Sequence, residues 1–214
     1  EQIAYDVNLF ENFTNKLRTY GTLEAYKILQ SSKDSNLPID LGLWIGGDLQ
    51  ENNLEIQRAL EILKEYPNRI QSVIVGNEVL LRKELEPLEL YAYIDFMKSH
   101  TKKPVTTAET WDIWEKNPQL ASHVDFLTIH ILPYWEKVPI ERYNEFIIEK
   151  YSVVEELFPN RKIVIGETGW PSNGYNNNKT VTSIKNQAQA IRGIVNLANE
   201  TGWHYNIIET LKQN

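Results

Sequence analysis

The sequence predicts a parallel α/β fold of the (β/α)₈ TIM-barrel class, apparently without the first barrel strand. Short segments rich in β-branched residues alternate with longer segments of helical periodicity. Several of the short segments, among them SVIV, DFLTI and KIVI, are apolar at successive positions instead of every second one. Such runs are typical of parallel strands that are covered on both faces. Repeated strand–helix units of this kind favour a parallel α/β fold.

Seven segments have the length and the residue content of strands. In chain order they are Leu17 to Tyr20, Asp40 to Ile45, Ser72 to Gly76, Pro104 to Thr107, Asp125 to Ile131, Lys162 to Gly166 and Tyr205 to Glu209. A barrel of this class has eight strands in about 250 residues, whereas the chain has 214. It also opens with a helix-like segment, Gln2 to Phe10. We therefore predict one barrel domain over residues 1–214, truncated at its N-terminus and short at its C-terminus.

Helical periodicity fills the intervals between these strands. Pro87 stands where a first helical turn accepts proline, directly before Leu88–His100. Gly202 ends the segment Thr180–Thr201. The other helical segments are Thr22–Ser31, Leu54–Tyr66, Trp111–Gln119 and Ile140–Phe158. A doubly wound sheet is the alternative arrangement, but it is disfavoured because no glycine-rich phosphate loop follows any strand.

The composition and net charge of the chain exclude several classes of binding partner and of chemistry. The net charge of −7 argues against nucleic acid, whose phosphates would be repelled, and is compatible with a neutral polysaccharide. No apolar run approaches the roughly 20 residues of a membrane span. The chain contains no cysteine, so neither disulfides nor thiol chemistry are expected. The opening residues EQIAYDVNLF lack the basic region of a signal peptide.

Reactive side chains of barrel enzymes project from the C-terminal ends of the strands. Carboxylates and aromatic rings are frequent at those ends here. The candidates for a site are Arg18, Tyr20, Trp44, Asn77, Glu78, Glu109, His130, Tyr134, Trp135, Glu167, Trp170 and Glu209. Sugars offer C–H faces to aromatic rings and hydroxyls to charged or amide groups, and cleavage of a glycosidic bond needs two carboxyl groups. This set of side chains is therefore typical of a sugar-cleaving site.

Glu78 and Glu167 are the candidate catalytic pair because each closely follows a strongly apolar strand, in VIVGNE and IVIGE. A glutamate past a strand also commonly begins a helix, whose N-terminus favours negative charge. For either residue alone the two interpretations weigh equally. Two such glutamates at equivalent positions, three strands apart, favour catalysis.

The other candidates keep structural alternatives. Glu109 either binds sugar hydroxyls or is a solvated loop acid. Trp44, Trp135, Trp170 and, in addition, Trp111 are candidate stacking surfaces, although a tryptophan more often packs in a core. His130 is equally compatible with a satisfied interior histidine. No second histidine or cysteine lies at ligand spacing beside it, so we predict neither a metal site nor a cofactor.

Five strings of the sequence carry a resemblance to a known family. The strings RTYG, VIVGNEVL, TTAETW, HILPYWE and VIGETGWPS resemble those of glycoside hydrolase family 17, in order and over nearly the whole chain. That family comprises retaining β-1,3-glucanases and β-1,3-glucanosyltransferases on a (β/α)₈ barrel. RTYG and HILPYWE make the chain more similar to the bacterial and fungal members than to the plant endoglucanases. The resemblance implies a glycosidase that acts on β-glucan. Because such polymers are met outside the cytoplasm, we expect a secreted, periplasmic or cell-surface protein, and we expect a monomer.

The resemblance also implies roles for individual residues. It makes Glu78 the general acid/base at the end of the fourth barrel strand and Glu167 the nucleophile at the end of the seventh. Asn77 would bind the sugar 2-hydroxyl, and Arg18 would lie near the nucleophile.

Two more aromatic residues receive roles from the family, and one acid does not. Tyr134 and Trp170 would line the glycone side of the cleft. The family usually continues past its last strand with a Phe- and Trp-containing segment around an acid. Here YNIIET leads directly into LKQN, which leaves the role of Glu209 open.

Three further functions compete with glucan hydrolysis. A transglycosylase would use the same residues and differ only in the acceptor. A non-catalytic glucan-binding domain, disabled by the missing strand, is disfavoured because both predicted catalytic acids are present. A nucleotide-dependent α/β enzyme is disfavoured by the absence of a phosphate loop.

Overall fold

The strands of the protein follow one another in chain order. The computed structural model describes residues 2–176 and 180–208. Within these ranges there are seven strands, in the order β1 to β7, and the defined registers are parallel. A doubly wound sheet reverses its strand order, whereas a (β/α) barrel does not. The predicted barrel class, with one strand fewer than eight in the described residues, is confirmed.

The elements have the following bounds. The strands are β1 Leu17–Arg18, β2 Ile39–Leu43, β3 Ile70–Asn77, β4 Val105–Thr110, β5 Leu127–His130, β6 Ile163–Thr168 and β7 His204–Ile207. The helices are α1 Gln2–Phe10, α2 Thr22–Ser31, α3 Leu49–Glu65, α4 Pro87–His100, α5 Trp111–Lys116, α6 Tyr143–Leu157 and α7 Ile184–Thr201. Short 3₁₀ turns occupy Pro118–Ser122 and Ile140–Arg142.

Capping residues decide two of the helix starts that differ from the prediction. Helix α3 begins at Leu49, earlier than the predicted Leu54, since Asp48 Oδ1 accepts hydrogen bonds from the Gln50 and Glu51 amides at 2.8 and 3.2 Å. Helix α7 begins later than predicted, after Ser183, whose hydroxyl accepts from the Asn186 amide at 3.0 Å. A side chain that accepts from these amides satisfies groups that have no partner inside the helix.

Strand ends also differ from the prediction, and the difference affects the site. Strands β4 and β6 are longer than predicted, so Glu109 and Glu167 lie within strands instead of after them. Strands β1 and β2 are shorter, so Tyr20 and Trp44 belong to the loops that follow. The last strand was predicted to reach Glu209, which lies outside the described residues. The observed strand ends at Ile207.

The chain divides into two compact units. The first contains the described residues up to Ala108 together with Gln119–Asp125, and the second contains Glu109–Pro118 and the described residues from Phe126 onward. The first unit has its own apolar core, which includes Leu29, Leu41, Leu43, Ile62, Val73, Val75, Ile94 and Met97. The core of the second includes Leu127, Ile129, Ile147, Val154, Val164, Ile165, Ile194 and Leu197. That residues 1–214 act as a single catalytic domain stays a prediction.

The described helices carry no candidate membrane span, because none of them combines sufficient length with sufficient apolarity.

Candidate active site

Glu78 lies in a left-handed turn directly after β3. Its φ is 54°, and that of Gly76 is 82°. A non-glycine residue at positive φ is uncommon and is concentrated at functional sites. The Glu78 amide donates to the Ala108 carbonyl at 2.7 Å, which holds the turn against β4. A β-carbon at Gly76 would collide with Val79, so glycine is required where the strand leaves the sheet.

Asn77 and Arg18 are joined by a hydrogen bond in the first unit. Arg18 Nη2 donates to Asn77 Oδ1 at 2.6 Å, and the Arg18 guanidinium lies 4.9 Å from the ring centre of Tyr20. These contacts bring together three of the predicted site residues from the ends of β1 and β3. The resemblance places Arg18 near the nucleophile, and that relation stays a prediction.

Glu167 is buried beside a histidine in the second unit. Only 5% of the residue is exposed, and Nε2 of the buried His130 lies 3.5 Å from Glu167 Oε1. The two residues are register partners at the ends of β5 and β6. The Ile131 amide also donates to the Glu167 carbonyl at 3.0 Å. Burying a carboxylate is costly unless polar groups face it, and His130 is one polar group that faces Glu167 Oε1.

Two contacts stabilise the end of β6, where Glu167 lies. The Tyr143 hydroxyl and Thr168 Oγ1 are 2.6 Å apart in the interior. Burial raises the pKa of the Tyr143 phenol, while its hydrogen bond to Thr168 has a smaller, opposite effect, so the phenol stays neutral. A β-carbon at Gly169 would overlap the Ile208 carbonyl oxygen, which explains the glycine of the GETGW string.

Tyr134, Trp135 and Trp170 form an aromatic cluster. Tyr134 meets Trp135 and Trp170 edge to face, with ring centres 5.0 and 5.5 Å apart. Trp135 is 73% exposed, whereas Trp170 is 1% exposed and its indole N–H donates to the Val181 carbonyl at 2.9 Å. The Tyr134 hydroxyl donates to the Tyr175 carbonyl. Trp135 is therefore available as a stacking surface, while Trp170 packs behind Tyr134 and holds the segment that follows β6.

The remaining tryptophan candidates differ in accessibility. Trp44 is 46% exposed after β2. Trp111 donates its indole N–H to Glu136 Oε1 at 3.0 Å, and the Lys150 ammonium lies 4.3 Å from its ring centre. A cation lies near both rings, since the Arg82 guanidinium is 4.5 Å from the ring centre of Trp44. Trp44 is the better candidate for stacking because it is more exposed than Trp111.

Two further acids were predicted at the strand ends, Glu109 and Glu209. Glu109 has no exposed surface, so the interpretation as a solvated loop acid is wrong. Glu209 lies outside the described residues, and its role stays a prediction.

Glu55, which was not among the predicted site residues, supports the loop of Trp44. This buried α3 residue accepts from the Thr22 amide and hydroxyl at 2.9 and 2.8 Å and from the Trp44 amide at 2.9 Å. It therefore joins the start of α2 to the loop that carries Trp44. No sequence pattern identified it, because a glutamate on a helix is usually solvated.

Comparison with known proteins identifies the family. The sequence model described as "BtgE/BtgC glycoside hydrolase domain" matches residues 1–214. The probable family 17 glucosidase SCW4 of Saccharomyces cerevisiae is 26% identical over 201 residues, which cover 90% of this chain and 52% of that protein. The putative glucan endo-1,3-beta-glucosidase btgC of Aspergillus niger is 28% identical over 215 residues, 90% of this chain and 31% of that protein. The chain thus spans about half, or less, of these relatives.

A solved structure agrees with the sequence relatives. The glycoside hydrolase family 17 beta-1,3-glucanosyltransferase from Rhizomucor miehei matches with a TM-score of 0.88 and 26% identity over 97% of this chain and 79% of its own. An active-site mutant of that enzyme, solved in complex with laminaritriose, has the same TM-score. The resemblance to family 17 is confirmed, and the chain belongs to the family of BtgE/BtgC glycoside hydrolase domains.

Proposed function

We propose that this chain is the catalytic domain of a retaining glycosidase that cleaves β-1,3-glucan by double displacement. The observation that carries the proposal is Glu167, a carboxylate buried at the end of a barrel strand with His130 beside it. Barrel enzymes place their chemistry at that end of the strands. The Aspergillus niger relative is named a putative glucan endo-1,3-beta-glucosidase, and an active-site mutant of the Rhizomucor enzyme was solved in complex with laminaritriose.

The proposed mechanism assigns one task to each acid. Protonated Glu78 donates its proton to the leaving glycosidic oxygen while ionised Glu167 attacks the anomeric carbon, which gives a covalent glycosyl-enzyme. Glu78, now ionised, then removes a proton from water, and that water displaces Glu167. This chemistry requires the two carboxyl groups to lie about 5–5.5 Å apart. A crystal structure with bound oligosaccharide that places them roughly 10 Å apart or more would exclude it.

Substrate binding is assigned to the other candidates. Because Arg18 donates to Asn77 Oδ1, we propose that the Asn77 amide nitrogen donates to the sugar 2-hydroxyl. Trp135 and Trp44 supply exposed rings for stacking. Tyr20, Glu109, His130, Tyr134 and Trp170 are proposed to shape the same cleft, and Glu209 is proposed as a further acid of it.

One experiment tests the function as a whole. Product NMR on laminarin reports the linkage that is cleaved and the anomer that is first released. We expect β-1,3 cleavage with retention of the β-anomer. Release of the α-anomer would exclude the double-displacement mechanism, and thermal stabilisation by laminarin with no products would favour the non-catalytic glucan-binding alternative.

Transglycosylation is a second candidate because the Rhizomucor enzyme is named a glucanosyltransferase. A sugar hydroxyl would then take the place of water in the second step, with Glu78 removing its proton. Laminari-oligosaccharides longer than the starting material, detected by mass spectrometry, would identify this activity. Products no longer than the substrate at high substrate concentration would exclude it.

The setting of the reaction follows from the proposed substrate. Because β-glucan is an extracellular polymer, we infer a secreted, periplasmic or cell-surface location. We also infer that the chain acts as a monomer, has no nucleic-acid partner and needs no cofactor.

A further inference from the structure

Arg82 contacts three groups at once in the first unit. Its Nε and Nη2 donate to the two carboxylate oxygens of Glu84, each at 2.9 Å. Its Nη1 donates to the Asn77 carbonyl. Its guanidinium also lies 4.5 Å from the ring centre of Trp44. No step of the proposed mechanism uses this side chain, yet it contacts two of the proposed substrate-binding residues.

The main chain around Arg82 is a closed turn that begins at the proposed acid/base. The Arg82 amide donates to the Glu78 carbonyl at 2.8 Å, and the Glu84 amide donates to the Val79 carbonyl at 3.1 Å. Two residues of the turn, Glu78 and Lys83, have positive φ, at 54° and 57°. Such a conformation persists only where the surroundings hold it. The Arg82 side chain supplies such a restraint, because it joins the carbonyl before the turn to the carboxylate at its end.

Trp44 is fixed independently at its main chain, where its amide donates to the buried Glu55 carboxylate at 2.9 Å. Its ring meets Arg82, whose plane is set by the paired bonds to Glu84. The loop also packs closely here, since a β-carbon at Gly46 would overlap Glu84 Oε2. The ring is thus held by a cation, although 46% of the residue is exposed. A sugar-stacking ring needs this combination of a fixed position and open surface.

We propose that Arg82 is a positioning residue that fixes Trp44 as a sugar-stacking surface and couples it to the turn of Glu78. The assignment rests on the proposed function. A planar guanidinium can form two parallel bonds to a carboxylate, bond a carbonyl and lie flat on a ring, whereas an ammonium group cannot do all three. Arg82 thereby holds a sugar that stacks on Trp44 at a fixed position relative to Glu78, the proposed acid/base.

The test compares Arg82→Lys with a matched control. Arg142 has the same two-bond pairing with a glutamate, Glu145, at 2.9 and 3.0 Å, and is assigned no part in the site. For Arg82→Lys we expect kcat/KM on laminari-oligosaccharides to fall about tenfold or more, because small misplacements of reacting groups are costly. Arg142→Lys is expected to stay within about twofold of wild type, as substitutions at exposed sites usually change little.

A double-mutant cycle separates positioning from a general loss of stability. If Arg82 acts through Trp44, Arg82→Lys costs clearly less in kcat/KM when Trp44 is already alanine. Glu84→Gln, which keeps Arg82 but weakens its orientation, is expected to shift activity in the same direction by a smaller factor. It serves as the second variant where Arg82→Lys does not fold.

The outcomes distinguish this proposal from the proposed function. An inactive wild type on all laminari-oligosaccharides contradicts the proposed function. An active wild type with equal effects of Arg82→Lys and Arg142→Lys overturns the role of Arg82. Additive effects of Arg82→Lys and Trp44→Ala overturn it as well.

Discussion

The carboxyl group of Glu167 combines burial with a polar neighbour, and both features bear on its chemistry. Its side chain lies beside His130 in the interior, at the end of a strand whose every residue is buried. A buried carboxylate keeps its nucleophilic lone pairs free of competing water but needs polar groups to keep it ionised. Under the proposed mechanism, His130 is the polar neighbour that would orient this carboxylate.

Removal of the proposed nucleophile is expected to abolish turnover. Glu167→Ala should lower kcat on laminarin by about 10⁴-fold or more, the scale seen when a covalent nucleophile is lost. Azide should enter the vacated space, attack the anomeric carbon once and give the α-glycosyl azide, which is detectable by NMR. Glu155→Ala, at an exposed glutamate of the same unit, is the control. Undiminished turnover by Glu167→Ala would remove the assignment.

Tyr143 gives a pH-dependent test of how the end of β6 is held. Burial raises the pKa of this phenol above its ordinary value of 10.0, while the hydrogen bond to Thr168 opposes that shift. Above pH 10 the unfolded state releases the phenol proton more easily than the folded state does. The stability that the neutral Tyr143 phenol contributes is therefore complete below pH 10 and is lost as the pH rises towards the folded-state pKa.

We accordingly expect Tyr143→Phe to be less stable than wild type near neutral pH, by about 1 kcal/mol for the lost hydrogen bond. The difference should shrink above pH 10. Denaturant unfolding at neutral and alkaline pH measures it, with Tyr5→Phe as the control at an exposed tyrosine. A difference that grows with pH would contradict the inference.

Helix α3 and the loops beside it show how one polar residue organises an element boundary. Glu55 points from the middle of α3 to the start of α2 and to the Trp44 amide. Its carboxylate therefore accepts from the Thr22 amide at the start of α2, as a capping side chain does, although Glu55 is remote in sequence.

Glu55→Ala is expected to lower the free energy of unfolding by roughly 3 kcal/mol, because it leaves buried donors without a partner. Glu61→Ala, an exposed position on the same helix, should change it by less than about 0.5 kcal/mol. Chemical denaturation of both variants measures the difference. Equal stability of the two variants would show that the Glu55 contacts contribute little.

At the scale of the whole molecule, the net charge of −7 and the proposed neutral substrate lead to a further prediction. Ionic strength screens interactions between charges but leaves sugar stacking and neutral hydrogen bonds largely unchanged. We therefore expect KM for laminarin to vary by less than about twofold between roughly 0.05 and 0.5 M salt. Enzyme kinetics across this range is the measurement. A steep salt dependence would indicate a charged ligand.

Much of the fold could be predicted from the sequence because strands and helices depend on local residue patterns. Short segments with the residue content of strands, several of them continuously apolar, predicted the seven strands of the described residues, and Pro87 and Gly202 predicted where two helices begin and end. Capping by Asp48 and Ser183 was missed because other residues near both helices also satisfy a helical pattern.

By itself the sequence determined the strand–helix alternation, the family and the identity of the two candidate acids, since periodicity and motif strings are properties of neighbouring residues. Only the tertiary structure decided which side chains meet. It placed Arg18 on Asn77, His130 beside Glu167, and Arg82 on Trp44. It also buried Glu109 and Trp170 while leaving Trp135 exposed. Burial and pairing depend on residues that are far apart in the chain and come together only through packing, so no local pattern reports them.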